Sequence, residues 1–271
     1  MIMNQELLKR VQKDCLEIMI DIDKVCRENN IEYSLCGGSV IGAMLYNGFI
    51  PWDDDIDIMM TRKNYEKFLK LYIKKTTSNN KIINYKTVNV DEVPALFSRI
   101  VNPDVEVIEK IAGQVEKKSN VFVDITVFDN VKSKFNFKIN EIERHYVYSY
   151  FYKKNNLLPG TKWKRYLYKF LVKDVDNNSL LKKYNRYDKK CQKYNKKTTK
   201  YCSELLSTIF PGRIYTSDLF KEYTDIDFEN HKFMIVKEYK KYLFQRYNRS
   251  EFTKENKNGS HSHIIAYNKV R

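Results

Sequence analysis

The sequence predicts an α+β fold, and three observations predict it. Apolar residues recur at steps of three and four over residues 4–29, where Leu7, Leu8, Val11, Cys15, Ile18, Ile22 and Val25 form one stripe. Ile56 and Ile58 alternate with Asp55 and Asp57, the period of a strand with one face turned into a core. Residues 120–128 (NVFVDITVF) make a short apolar run that reads as a buried strand.

The elements follow in order. Residues 4–29 are expected to be a helix packed beside a sheet, with Lys13, Glu17, Asp21 and Lys24 on its polar face. Residues 31–36 (IEYSLC) read as a short strand that runs into Gly37 and Gly38. Glycine tolerates backbone angles that other residues resist and lets a ligand approach the main chain. Ser39 is expected to cap a short helix whose apolar residues are Val40, Ile41, Met44 and Leu45, and Asn47-Gly48 stops it. Thr61 reads as the cap of another helix, with Tyr65, Phe68, Leu69, Tyr72 and Ile73 on its buried face. Strands are expected at 81–90 and 95–101, with a further alternating piece at 105–108. Residues 132–200 look mainly helical, interrupted at Pro159-Gly160.

The chemistry is concentrated between Leu35 and Asp57. A turn of Gly37, Gly38 and Ser39 sits one short helix away from Asp53, Asp54, Asp55 and Asp57. Free amides at a helix start suit an anion, and grouped carboxylates suit a divalent cation. Alone, Gly-Gly-Ser is no more than a tight strand-to-helix turn. The acidic residues add weight. Asp55 and Asp57 share one strand face, and two neighbouring carboxylates repel each other unless a cation or a proton lies between them. Asp53 and Asp54 fit a solvated acidic turn. Asp124 is a single carboxylate inside an apolar run, costly to bury without a partner. A metal held at Asp55 and Asp57 would provide one. Together these features are what phosphoryl or nucleotidyl transfer needs.

The run LCGGSVIGAMLYNGFIPWDDDIDIMMTRKNYEKF closely resembles the LicD/fukutin-type phosphotransferases, without gaps over more than thirty residues. The resemblance implies a nucleotidyltransferase-like mixed sheet flanked by helices, with the basic helical segment appended. It divides the chain into a catalytic core at 1–131, a basic aromatic segment at 132–200 and a C-terminal part of the same domain at 201–271. It implies transfer of a phospho-alcohol such as phosphocholine from a CDP-linked donor to a hydroxyl of a glycan or lipid-linked glycan, with release of CMP. Asp55, Asp57 and Asp124 are then the catalytic set and the ligands of Mg²⁺ or Mn²⁺, with Asp124 a candidate acceptor of the hydroxyl proton. Gly37, Gly38, Ser39 and Arg99 are the substrate-binding candidates. Asp129 follows in the match and reads as a turn residue. The resemblance is looser over 220–265: Val236 stands where a proline is usual and Asn248 where a glycine is. His261 and His263 correspond to a terminal histidine of the family or belong to a polar tail.

Charge and composition bound the rest. The formal net charge is +15. Residues 132–200 hold 20 Lys and Arg against 5 Asp and Glu, so the remaining 29 of each cancel. Within that segment Trp163, Tyr166, Leu167, Phe170 and Leu171 share one helical face, ringed by Lys162, Lys164, Arg165, Lys169 and Lys173. This pattern suits an anionic membrane surface as well as an ordinary core helix with a solvated rim. Five cysteines with no Cys-x-x-Cys pair argue for reduced thiols rather than a disulfide frame or a zinc site. No signal peptide or membrane-spanning run is legible, so the expectation is a cytoplasmic protein, peripheral on the inner face of the membrane. Nucleic acid is not the expected partner. The alternatives are a nucleotidyltransferase acting on RNA or a small molecule, and a non-catalytic membrane scaffold.

Overall fold

The computed structural model describes residues 5–84, 97–111, 115–154, 172–207, 211–254 and 264–269. The first helix is α1 (Gln5–Glu28), and its stripe from Leu8 to Cys26 is buried against the sheet. Strand β1 (Ser34–Leu35) is shorter than the sequence suggested and leads into α2 (Gly37–Tyr46). Strand β2 (Ile56–Thr61) and helix α3 (Arg62–Lys75) follow, and Thr61 caps α3 by accepting from the Asn64 amide at 3.5 Å. Next come β3 (Lys81–Ile83), β4 (Ser98–Ile111) and β5 (Val115–Val131).

The two pieces expected at 95–101 and 105–108 belong to the one strand β4, whose pairing with β5 shifts register between Val101 and Glu106. Pro103 lies in that interval and lacks the amide a regular ladder requires. The outer half of the strand expected at 81–90 lies outside the described residues, as does nearly all of the amphipathic run at 163–172.

Helices α4 (Lys134–Lys154) and α5 (Asn177–Cys191) come next, followed by β6 (Tyr201–Ser203) and β7 (Tyr215–Thr216). The chain then makes a hairpin of β8 (Tyr223–Phe228) and β9 (His231–Val236), helix α6 (Tyr239–Tyr247) and strand β10 (Ile264–Lys269). The main sheet runs β1-β2-β5-β4-β10, with β3 on β4 and β6 joining β5 to β7. It is mixed: β2 and β5 are parallel and their neighbours antiparallel. Helices flank it, as expected.

A parallel pair needs a long crossover, and α3, β3 and β4 supply it here. The central strands are apolar on both faces, with Ile56, Ile58, Met59, Met60, Val121, Val123, Ile125 and Val127 all buried. A second apolar cluster lies between α4 and α5 around Val147, Tyr148, Phe151, Leu180, Tyr184 and Tyr187. Asp129 ties this cluster to the sheet and is no turn residue. It sits fully buried on β5, accepts from Arg62 Nε and Nη2 at 2.9 and 2.7 Å, and Asp188 of α5 meets Arg62 Nη1 at 2.9 Å.

Candidate active site

The β2–β5 register decides the site. Asp57 lies directly across from Asp124 on adjacent parallel strands. Residues opposite each other in this way project to the same face, so two carboxylates from positions 67 residues apart line one side of the sheet. Asp55 lies just ahead of β2.

The glycine turn meets these carboxylates edge-on. Gly37 has φ +55°, the left-handed region that glycine occupies without penalty. A Cβ added there would lie 3.5 Å from Asp57 Oδ2 and 3.6 Å from Arg246 Nη2, and one added at Gly38 would lie 2.9 Å from Asp53 Oδ2. The paired glycines therefore make room for carboxylates and a guanidinium beside the main chain.

Two local details differ from the sequence expectation. Ser39 is not the cap of α2, since Cys36 holds that position. The buried Ser39 hydroxyl instead accepts from the Asp57 amide at 2.9 Å and fixes the acidic strand against the helix. Nor is the turn an open nest of amides. The Gly37 N–H donates to the Tyr242 hydroxyl at 3.0 Å and the Ser39 N–H to the Cys36 carbonyl at 3.0 Å.

Asp53 and Asp54 do not form a solvated turn. Asp54 is fully buried and its Oδ2 accepts from the Ile264 amide at 2.6 Å. The Gln12 side chain donates to the Asp53 carbonyl at 2.8 Å, and Cys15 lies against the Asp54 carbonyl. Helix α1 and strand β10 thus hold the acidic turn in place. One carboxylate oxygen from each of Asp53, Asp54 and Asp55 falls within 4.8 Å of the others.

Arg99 lies on β4, on the strand expected for it, and its guanidinium is engaged by carboxylates. It pairs with Asp124 in the β4–β5 register, donating from Nε to Oδ1 at 2.7 Å and from Nη2 to Oδ2 at 3.3 Å. Its Nη1 reaches Glu109 at 2.7 Å, and its guanidinium carbon lies 3.7 Å from the Phe122 ring centroid. Burial alone would depress this guanidinium; Asp124 and Glu109 reverse that and hold it above its ordinary value. Arg99 is only 6% exposed, so it supports Asp124 rather than reaching out to a phosphate. The half-buried Asp124 takes its counter-charge from this arginine.

The cation beside the glycine turn is Arg246. It extends from α6, where its Nη1 donates to Glu204 at 3.0 and 3.2 Å while Nε and Nη2 face Gly37. Tyr242, one turn earlier, holds Gly37 and touches Cys36 Sγ at 3.1 Å. Neither residue stands out in the sequence; the readable signal is that they lie four apart on one short helix and share a face. At the end of that helix Asn248 adopts φ 52°, ψ 39° and closes the cap. Asparagine enters this region more readily than other non-glycine residues, so Asn248 can do the conformational work expected of a glycine at this position.

Beside Gly38 and Asp53 opens a pocket of about 440 Å³, lined by Tyr46, Trp52, Tyr247 and Phe252. Lys254 Nζ stands 5.3 Å from the Tyr46 ring centroid and the Arg249 guanidinium 5.4 Å from that of Phe252. His261 and His263 lie outside the described residues.

Comparison with known proteins gives the family. Residues 30–163 match the family described as LicD/FKTN/FKRP, nucleotidyltransferase domain. Over 129 residues the chain is 32% identical to the lipopolysaccharide cholinephosphotransferase LicD of Haemophilus influenzae. The chain belongs to the LicD family. The aligned stretch is 48% of this chain and 47% of that relative, about half of each. Of the site just described, the LicD match at 30–163 contains the glycine turn, the acidic residues, Arg99 and Asp124. Glu204, Tyr242 and Arg246 come from beyond it.

Proposed function

We propose that this LicD-family chain is a phosphotransferase that moves a phospho-alcohol, phosphocholine foremost, from a CDP-linked donor to a hydroxyl of a cell-surface glycan precursor. The observation that carries the reading is the pairing of Asp57 with Asp124 beside the Gly37-Gly38 turn. It is supported by the name of the relative, which acts as a lipopolysaccharide cholinephosphotransferase. A nucleotidyltransferase-like fold is part of the same proposal.

The donor set is oxygen only, the chemistry that Mg²⁺ or Mn²⁺ prefers. Asp55, Asp57 and Asp124 would hold such an ion, with Asp53 adjoining. Each carboxylate oxygen has more than one acceptor site, so the Arg99 bonds leave Asp124 able to ligate. A bound ion would neutralise charge on the donor diphosphate. Arg246 faces the same space and adds a fixed positive charge. In the reaction the acceptor oxygen bonds to the phosphorus that carries the alcohol. The bond from that phosphorus to the bridging oxygen breaks, CMP leaves with that oxygen, and the hydroxyl proton passes to a site carboxylate.

The aromatic pocket is the place for the alcohol. A trimethylammonium group is attracted by ring faces and by a nearby carboxylate, and this pocket has four rings and Asp53. Three basic side chains of the protein itself, Arg246, Arg249 and Lys254, already lie over its rings.

A donor screen tests the reading. Purified protein with Mg²⁺, a glycan acceptor and CDP-choline, CDP-ethanolamine, CDP-ribitol or CDP-glycerol should release CMP, fastest from CDP-choline. Trp52→Ala should raise KM for CDP-choline about tenfold while affecting CDP-glycerol little. Release of pyrophosphate from a nucleoside triphosphate, with no CMP from any CDP-alcohol, would replace this reading with a nucleotidyltransferase acting on RNA or a small molecule.

A further inference from the structure

Helix α4 is apolar on two opposite sides. Its inner side, Val147, Tyr148 and Phe151, packs against α5. Its outer side carries Phe135, Ile139, Ile142 and Tyr146, spaced four, three and four residues apart, and so forms one continuous stripe. Phe135 is 74% exposed, Ile142 72%, Tyr146 53% and Ile139 40%. Scattered exposed apolar residues need no explanation, but four large ones in a row mark a surface that meets something.

The rim of the stripe identifies the partner. Lys134 and Lys138 are exposed on α4 itself. Lys183 of α5 lies 5.3 Å from the Tyr146 ring centroid and 4.4 Å from that of Tyr150. The acidic residues of α4 are committed elsewhere: Glu143 is bridged by Lys190, and Glu141 pairs with Arg144 at 2.9 Å. An apolar strip bordered by lysines fits the interface of an anionic bilayer, with side chains among the upper acyl carbons and ammonium groups at the lipid phosphates. A second copy of the chain fits poorly, because a two-fold contact would bring the two lysine rims together.

We propose that the outer face of α4, Phe135, Ile139, Ile142 and Tyr146 with Lys134, Lys138 and Lys183, docks this protein on an anionic membrane surface. The proposal is independent of the reaction assigned above. It places the docking element in α4.

Co-sedimentation with vesicles tests it. Wild-type protein should bind vesicles containing phosphatidylglycerol more tightly than vesicles of phosphatidylcholine alone, and the difference should shrink as salt rises, because the Debye length falls from about 10 Å at 0.1 M to about 3 Å at 1 M. The double variant Phe135→Gln, Ile142→Gln should lose about tenfold in binding at every salt concentration. Lys134→Gln with Lys138→Gln should weaken binding to the anionic vesicles alone. Both side-chain sets point into solvent, so melting curves should match wild type and confirm intact folding. Wild-type binding by the Phe135/Ile142 variant would overturn the proposal. So would equal binding to neutral and anionic vesicles, a dimer that the same substitutions dissociate, or tight RNA binding with none to vesicles.

Discussion

Arg99 shows what a buried charge requires of its neighbours. It bonds to two carboxylates, Asp124 and Glu109, and all three groups are largely out of water. Removing one member of such a set leaves uncompensated buried charge, at a cost of about 3–5 kcal/mol. Arg99→Met should therefore lower unfolding free energy by about that amount in denaturant titration, and Arg99→Lys should restore only part of it, because a single ammonium cannot serve both partners as the fork does. A change within about 0.5 kcal/mol, coupled to a large rise in donor KM, would instead make Arg99 a phosphate ligand. Arg246 should behave in the opposite way. Arg246→Lys keeps a charge for Glu204 but withdraws the Nε and Nη2 edge from Gly37. Donor KM should rise about tenfold or more with the melting temperature nearly unchanged; an unaltered KM would remove Arg246 from the donor site.

At the scale of elements, the loop between α2 and β2 is positioned from a distance. Glu229, in the β8–β9 turn, holds φ 48° although it is not glycine, and its Oε1 accepts from the Phe49 amide at 3.2 Å. Its own amide donates to the Asn47 carbonyl at 2.8 Å. A Cβ at Gly48 would lie 2.1 Å from that same carboxylate oxygen, so Gly48 and Glu229 form one lock. Backbone strain of this kind persists where the surroundings enforce it. Gly48→Ala should destabilise by more than the usual helix-end glycine change, by about 2 kcal/mol or more, and Gly48→Ala combined with Glu229→Ala should recover part of the loss. Additive losses in the double variant would contradict the lock. Asn248→Gly, by contrast, should stay within about 0.5 kcal/mol of wild type, since both residues enter the left-handed region.

Across the whole molecule, buried thiols and phenols set the alkaline limit. Burial pushes Cys36 from 9.0 and Cys202 from 9.0 each up to about 12, and Tyr65 from 10.0 to about 12. A raised value in the folded state means that folding favours the protonated group, so its contribution is complete below the unfolded value and is lost as pH climbs through the folded one. Stability should thus fall progressively from about pH 9 to about pH 12, read as melting temperature against pH, while all five buried thiols resist iodoacetamide at pH 8. Rapid alkylation of the native protein would contradict this.

The same scale shows which parts of the molecule the sequence could reveal. The helix α1, the cap at Thr61 and the Ile56/Ile58 alternation were legible because each is written in residues a few positions apart. Asp124 was legible as a charge in an apolar run. Its partner was not, since nothing local says that Arg99 faces it across two strands. Asp54 and Asp129 were read as turn residues because their partners, Ile264 and Arg62, lie 210 and 67 residues away. Arg246 and Tyr242 escaped for the same reason. Periodicity reports which face is buried, and it carries no record of what the buried face meets.

The central claim is that the carboxylates paired across β2 and β5, beside the glycine turn, carry out phospho-alcohol transfer. The most direct measurement is CMP release from CDP-choline in Mg²⁺ with a glycan acceptor, by wild type and by Asp57→Asn, a change that removes a charge and almost no volume. Turnover should fall at least about a hundredfold, with an unchanged melting temperature and a lost response to added Mg²⁺. Near-normal turnover by a folded Asp57→Asn protein at saturating donor would contradict the account.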